Sequence, residues 1–162
     1  MDEGEIQSQF VRWLTERHAY EEVFVDPNGG AGALVDSIGL LGGRAVLIEF
    51  KRRLSASLVR YSQKSPSSIE RKIRNSLSVL FAGGFLDGWA RDRVPLVYVV
   101  AEKISAEAST ALKLLLEERS PEWHFQYEFG QWDRTEFRSL AAGPVDSVPV
   151  AEWGNVLFPE MR

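Results

Sequence analysis

The stretch of residues 35–51 constrains the fold most, because it contains two apolar segments joined by a pair of adjacent glycines. A Gly-Gly pair such as Gly42-Gly43 favours the two-residue turn of a tight β-hairpin. The flanking segments, approximately 33–41 and 44–52, are therefore predicted to be two neighbouring antiparallel strands.

This turn determines which side chains of the two strands face each other. If Leu41 lies opposite Arg44, counting outward places Asp36 directly opposite Glu49. Directly opposed side chains project from the same face, with Cβ atoms roughly 5 Å apart. Lys51 lies two residues beyond Glu49, so strand alternation places it on that face too. The sequence predicts two carboxylates and an ammonium group at one point of a sheet.

Two carboxylates held this close repel each other unless a cation lies between them. The chain has no cysteine and two histidines, which excludes thiolate and three-histidine metal sites and favours an oxygen-bound ion. We expect Mg²⁺, with Mn²⁺ as its substitute. Lys51 could then position water and stabilise charge on a phosphate, which indicates metal-assisted phosphodiester hydrolysis. The alternative is an exposed ion cluster in which Lys51 bridges the two acids.

The remaining pattern is that of one mixed α/β domain. The predicted elements are a helix at 3–18, a strand at 21–26, a helix that starts at Ser65-Pro66-Ser67-Ser68 and runs to Phe81, a strand at 96–101, a helix capped by Ser105 and stopped by Pro121, and a strand at 123–129. We assign residues 1–130 to the core. Residues 131–162 are expected to be a C-terminal extension that packs on the core or forms an oligomer contact.

Basic residues are concentrated in residues 44–74, which contain nine basic and two acidic residues in a chain of net charge −4. Such an island can bind the phosphates of nucleic acid without reading base sequence. The alternative is a solvated helix face. The expected phosphate contacts are Arg52 and Arg53 on the motif strand and Lys64, Arg71, Lys72 and Arg74 near the second predicted helix.

The spacing of Asp36, Glu49 and Lys51 resembles the motif of the PD-(D/E)XK nuclease superfamily, although Val35 stands where the name of the motif has proline. Within that superfamily the chain looks most like the virus-type replication-repair nuclease branch. The residues that carry this likeness are Glu3-Gly4-Glu5-Ile6-Gln7, Gly42-Gly43-Arg44 and Gln63. The resemblance covers approximately residues 3–64.

The resemblance implies a restriction-endonuclease-like core of helix, three strands, helix and strand (αβββαβ), with a mixed central sheet flanked by helices. It implies that Asp36 and Glu49 bind the metal with the backbone carbonyl of Phe50. Lys51 would orient the attacking water, and Gln63 would help to shape the active site.

The first helix offers a further acid for the metal. A helical wheel places Glu3 near the buried stripe and Glu5 near its flank, so Glu3 is the expected ligand, directly or through water. The alternative is that Glu3 or Asp2 only caps the helix and interacts with its positive end.

We therefore expect a Mg²⁺-dependent deoxyribonuclease, an endonuclease on duplex, branched or structured DNA in repair or defence. Exonuclease action and RNA substrates remain open. Because a small domain has one active site, we expect a homodimer or a partner protein that supplies a second site or targeting. The alternatives are a catalytically silent module that binds nucleic acid or protein, and a toxin-type nuclease domain. An acidic N-terminus and no long apolar run lead us to expect a cytoplasmic protein without membrane contact.

Overall fold

The structure, a computed structural model, describes residues 1–26, 34–62, 68–82, 86–90 and 92–143, with the backbone alone at 60–62. The described residues form, in chain order, α1 (Glu3–His18), β1 (Glu21–Val25), β2 (Ser37–Leu41), β3 (Arg44–Leu54), α2 (Ala56–Ser62), α3 (Ile69–Phe81), β4 (Leu96–Ile104), α4 (Ala106–Trp123), β5 (Gln126–Trp132) and β6 (Phe137–Gly143). None of these helices combines the length and the apolar character that crossing a bilayer requires.

The strands form one mixed sheet in the order β1-β2-β3-β4-β5-β6. β1, β2 and β3 are antiparallel neighbours, whereas β3, β4 and β5 run parallel, and β6 is antiparallel to β5. Each parallel pair needs a connection that returns the chain to the starting end of the sheet, and α2–α3 and α4 provide these connections. The prediction of a mixed α/β fold is confirmed.

Helices cover both faces of the sheet. On one face, Ile6, Phe10 and Leu14 of α1 pack against the sheet in one buried cluster. On the other face, α3 and α4 contribute Ile73 and Leu112 to a second buried cluster. β3 lies between the two clusters and is buried throughout its first seven residues. A strand covered on both faces normally carries apolar side chains, so a glutamate at position 49 requires an explanation.

The helix boundaries differ from the prediction in two places. A short helix, α2, was not predicted. The prediction that Pro121 stops α4 is wrong, because the helix continues to Trp123. Proline lacks the N–H that would bond to the carbonyl of Glu117, and the helix ends within one turn of it. The helix ends instead at His124, which has a left-handed backbone conformation (φ 56°).

The sheet extends further along the chain than predicted. β5 begins at Gln126 and ends at Trp132, and β6 pairs with it as a sixth strand. The turn between them is closed by Asp133, whose side chain accepts hydrogen bonds from the backbone N–H groups of Thr135 and Glu136. The predicted boundary at residue 130 therefore falls inside a strand, and residues 131–143 belong to the sheet. Residues 144–162 lie outside the described residues.

Gly39 offers a test of the pairing between β1 and β2. A Cβ atom there would lie 2.2 Å from the carbonyl oxygen of Glu21 and 2.6 Å from the ring of Tyr20. We expect Gly39→Ala to lower the free energy of unfolding by about 1–3 kcal/mol, as overpacking does, in urea denaturation. Gly4→Ala is the control, because the nearest atom to its Cβ would be 3.4 Å away. Equal stability of the two variants would contradict the close approach.

Candidate functional site

The hairpin of β2 and β3 sets the position of the two acids. Leu41 lies opposite Arg44 and Ser37 opposite Ile48, as the glycine turn predicts. The two turn glycines have φ angles of 59° and 80°, which side chains rarely adopt. Asp36 and Glu49 are the next residues outward from the last paired residues, so they lie at the end of the antiparallel ladder.

Asp36 is held by the backbone of β3. Its carboxylate oxygen Oδ2 accepts a hydrogen bond of 2.8 Å from the N–H of Phe50, and the residue is 6% exposed. Because β2 pairs with β3 only as far as Ile48, this N–H lies beyond the ladder, and the aspartate side chain satisfies it instead. The bond fixes the Asp36 carboxylate beside the residue that follows Glu49.

Glu49 is fully buried, and two lysine ammonium groups lie close to the same oxygen of its carboxylate. The Nζ atom of Lys72 lies 3.1 Å from Glu49 Oε2, and the Nζ atom of Lys51 lies 3.5 Å from the same oxygen. The other oxygen, Oε1, is buried and has no hydrogen-bond partner among the described residues. We call Asp36, Glu49, Lys51 and Lys72 the acid–lysine cluster.

Burial governs the protonation of Glu49. Burial, together with the neighbouring Asp36 carboxylate, raises the pKa of this carboxyl group to about 8. The two lysines oppose this effect without cancelling it. The surroundings of Glu49 therefore favour the protonated form of a buried carboxyl group at the end of the hairpin.

The two lysines have different surroundings. The side chain of Lys51 is 21% exposed, so its ammonium group reaches from the cluster to solvent. The side chain of Lys72 has no exposed surface. It comes from α3, which follows β3 along the chain. The prediction that Lys72 faces nucleic acid is wrong, because a fully buried ammonium group paired with Glu49 does not reach a phosphate at the surface.

α3 also holds the segment that leads into Asp36. The hydroxyl oxygen of Ser76 accepts a hydrogen bond of 3.0 Å from the backbone N–H of Val35. Ser76 lies one helical turn after Lys72, on the same face of α3. The helix itself begins at Ile69, and the side chain of Ser68 caps it by accepting from the N–H of Arg71, as predicted.

Glu3 is not placed with the cluster. It is exposed at the start of α1, and the buried residues of that helix pack on the other face of the sheet from α3. The prediction that Glu3 lies near the buried stripe is wrong, because a wheel gives the direction of a side chain but not how far the sheet extends beneath it. Glu5 is exposed as well.

The other predicted residues are exposed on β3 and α3 or lie outside the described residues. Arg52 and Arg53 are exposed at the end of β3, and Arg71 and Arg74 are exposed on α3. Their contact with nucleic acid stays a prediction. Gln63 and Lys64 lie outside the described residues.

Arg53 has a basic neighbour that sequence analysis missed. Lys103 is its register partner on β4, and both side chains are exposed. Both line a groove of about 590 Å³ together with Leu54, Ile104 and Gln131. We call this the Arg53–Lys103 groove. Arg53 lies two positions beyond Lys51, a distance of about 6.6 Å along an extended strand.

The donor atoms of the cluster fit a small, hard divalent cation. They are carboxylate oxygens, one of which is buried without a hydrogen-bond partner. Among the described residues, no third acid or histidine joins Asp36 and Glu49 to complete an all-protein site. Mg²⁺ typically binds through one or two carboxylates and takes its other ligands from water and substrate phosphate, so a two-carboxylate site is suited to it.

Lys72 was missed as a cluster residue although the sequence contains a signal for it. The buried residues of α3 are Ile69, Lys72, Ile73, Ser76, Leu77 and Leu80, a stripe at helical spacing. A lysine and a serine inside such a stripe indicate polar partners in the interior. Neither partner could be named from the sequence, because the contacts join elements that are distant along the chain.

The pKa of Glu49 predicts how stability depends on pH. The folded protein binds the Glu49 proton up to a pH of about 8, whereas the ordinary pKa of this carboxyl group is 4.5. Because the folded protein holds a proton that the unfolded chain releases, stability is lost as the pH rises between these values. We expect the free energy of unfolding of the wild type to fall relative to that of Glu49→Gln from about pH 5 to about pH 8.

The measurement is urea denaturation at several pH values with EDTA present. Glu118→Gln is the matched control, because the Glu118 side chain is 71% exposed. Its stability should follow that of the wild type across the pH range. Parallel curves for the wild type and Glu49→Gln would show that burial does not raise the pKa of Glu49.

Comparison of the chain with models of known protein families, with curated protein sequences and with solved structures finds no match.

Proposed function

We propose that the protein is a Mg²⁺-dependent nuclease of the PD-(D/E)XK type that hydrolyses phosphodiester bonds in DNA. One observation carries the proposal: Asp36 and Glu49 end a single hairpin, and the Nζ atom of Lys51 lies 3.5 Å from the buried Glu49 carboxylate. Carboxylates that bind a divalent cation beside a solvent-accessible ammonium group are suited to hydrolysing phosphate esters.

The order of the elements supports the same proposal. α1, β1, β2, β3, α3 and β4 follow one another as the resemblance to a restriction-endonuclease-like core implies, in a mixed sheet. In this interpretation α2, α4, β5 and β6 are additions to that core. The cluster lies on β3, the third strand, where the motif residues of such a core are expected.

In the proposed reaction, water adds to the phosphorus atom, one P–O ester bond breaks, and the leaving oxygen takes up a proton. Asp36 and Glu49 would hold the cation, which when bound supplies positive charge to the reacting phosphate. Lys51 can reach both the cluster and solvent, so it donates hydrogen bonds to the attacking water or to a phosphate oxygen. The Phe50 N–H keeps Asp36 oriented throughout.

The proposed substrate contact continues along the strand ends. Lys51, Arg53 and Lys103 are three cationic side chains on neighbouring positions of β3 and β4. The Arg53–Lys103 groove adds apolar surface from Leu54 and Ile104. This combination suits a nucleotide that flanks the cleaved bond, with its phosphate on the cations and its sugar or base in the groove.

One cluster cleaves one strand at a time. Cleavage of both strands by an endonuclease would therefore need a second copy of the chain or a partner protein. The oligomeric state in solution, with and without duplex DNA, distinguishes these two arrangements.

A catalytically silent nucleic-acid-binding module is the second candidate, and the buried ion pair between Lys72 and Glu49 favours it. In that pair a lysine already supplies positive charge to the carboxylate, so the cluster could exist without a metal. Calorimetric titration with Mg²⁺ or Mn²⁺ separates the two candidates, because a silent module is expected to bind neither ion.

Substitution of the motif residues tests catalysis. We expect Asp36→Ala, Glu49→Ala and Lys51→Ala each to lower the rate of DNA cleavage by about 100-fold or more, while circular dichroism shows the fold retained. The assay contains Mg²⁺ and linear, nicked, branched and single-stranded DNA, together with RNA. Asp87→Ala and Lys113→Ala, which change exposed residues, are the controls. Full activity of Lys51→Ala would reject the mechanism.

The Arg53–Lys103 groove predicts a change in DNA affinity. We expect Arg53→Ala and Lys103→Ala each to weaken the binding of duplex DNA and to reduce its salt dependence by about one counterion. Fluorescence anisotropy at several salt concentrations, with Ca²⁺ in place of Mg²⁺, measures both quantities. Lys113→Ala should leave both unchanged, because Lys113 lies on α4 away from the groove. An unchanged salt dependence in the groove variants would place the DNA elsewhere.

A further inference from the structure

We propose that α3 is a positioning element for the acid–lysine cluster, in which Lys72 occupies one oxygen of Glu49 and thereby presents the other oxygen alone to the divalent cation. The inference deepens the proposed nuclease function and rests on it for the identity of the cation. It makes Lys72 a positioning residue, since its ammonium group acts through Glu49.

The first step is that the two carboxylate oxygens of Glu49 have different surroundings. Both lysine ammonium groups approach Oε2, at 3.1 and 3.5 Å, whereas Oε1 is buried without a partner among the described residues. The ammonium groups beside Oε2 repel a second cation, so Oε1 is the oxygen open to an ion. Glu49 would therefore be a ligand through Oε1 only.

The burial of Lys72 is the second step. Its side chain has no exposed surface and lies within the apolar stripe of α3, between Ile69 and Ile73. Removing an ammonium group from water is costly, and a buried ion pair adds little stability compared with apolar residues of similar volume. A methionine at this position would continue the stripe. The presence of a lysine is therefore better explained by its effect on Glu49 than by stability.

The second contact of α3 is the third step. One turn after Lys72, Ser76 binds the backbone N–H of Val35, the residue before Asp36. One face of α3 thus makes two contacts: Lys72 pairs with the Glu49 carboxylate on β3, and Ser76 accepts a hydrogen bond from the backbone of the segment that leads into Asp36. The relative position of the two acids depends on the docking of α3 as well as on the hairpin.

This arrangement predicts selectivity between cations. Mg²⁺ needs near-octahedral geometry and accepts single-oxygen ligands, whereas the larger Ca²⁺ accepts carboxylates through both oxygens and binds more of them. Holding Glu49 to one oxygen therefore favours Mg²⁺ over Ca²⁺. Removal of the Lys72 ammonium group would leave Oε2 with only the longer contact to Lys51, so the carboxylate would be held less firmly and the preference would shift towards Ca²⁺.

The test is calorimetric titration of the full chain with Mg²⁺ and with Ca²⁺, comparing the wild type with Lys72→Met. The ratio of the two dissociation constants is the decisive quantity, because both ions carry the same charge and compete with the same proton on Glu49. We expect the ratio to shift towards Ca²⁺ by about tenfold in Lys72→Met. Cleavage at saturating Mg²⁺ should also fall, with an unchanged KM for DNA.

The control is Lys113→Met, a matched substitution of a side chain that is 56% exposed, and it should leave the ratio unchanged. If Lys72→Met does not fold, Lys72→Gln keeps a shorter polar donor at the position, and a smaller shift in the same direction is expected. An unchanged ratio in a folded variant overturns the positioning role, even if activity falls.

The outcomes also separate this inference from the proposed function. A wild-type chain that binds neither ion defeats both. A wild-type chain whose ion preference shifts in Lys72→Met, but which cleaves no nucleic acid, supports the positioning role and rejects the nuclease.

Discussion

The burial of the Glu49 carboxylate between two lysines and an aspartate is the interaction on which the rest of the arrangement depends. Removal of a carboxyl group from water costs several kcal/mol unless nearby groups compensate. In this chain the compensation comes from Lys72 on α3 and Lys51 on β3, while Asp36 works against it. The central strand tolerates a glutamate because a helix brings a cation to it, and this requirement links the packing of α3 to the hairpin.

Much of the hairpin could be predicted because its determinants are local. The Gly42-Gly43 turn specifies the register, and strand alternation then determines which residues share a face. The start of α3 at Ser68 and the start of α4 at Ser105 follow from capping side chains that bind backbone N–H groups three residues later. Each of these features requires only residues that are close together in the sequence.

The contacts that complete the cluster and the groove are not local, and the sequence could not supply them. Lys72 meets Glu49 only when α3 docks on the sheet, and Lys103 meets Arg53 only through the parallel register of β3 and β4. Glu3 shows the opposite error, since an amphipathic pattern predicted burial at a helix end that the sheet leaves exposed. A sequence pattern indicates the direction in which a side chain points, whereas tertiary packing determines which side chains come into contact.

The glycine turn has a consequence for how the hairpin can change its length. From the turn to the acids, five residues of β2 and five of β3 are paired without a bulge. Side chains on a strand alternate between faces, so adding one residue to either arm reverses the parity of the count and sends that acid to the opposite side of the sheet. Lengthening the arms by equal numbers of residues keeps the acids opposed. The distance in sequence between Asp36 and Glu49 is therefore quantised, and it would vary by even steps unless a bulge absorbs the odd residue.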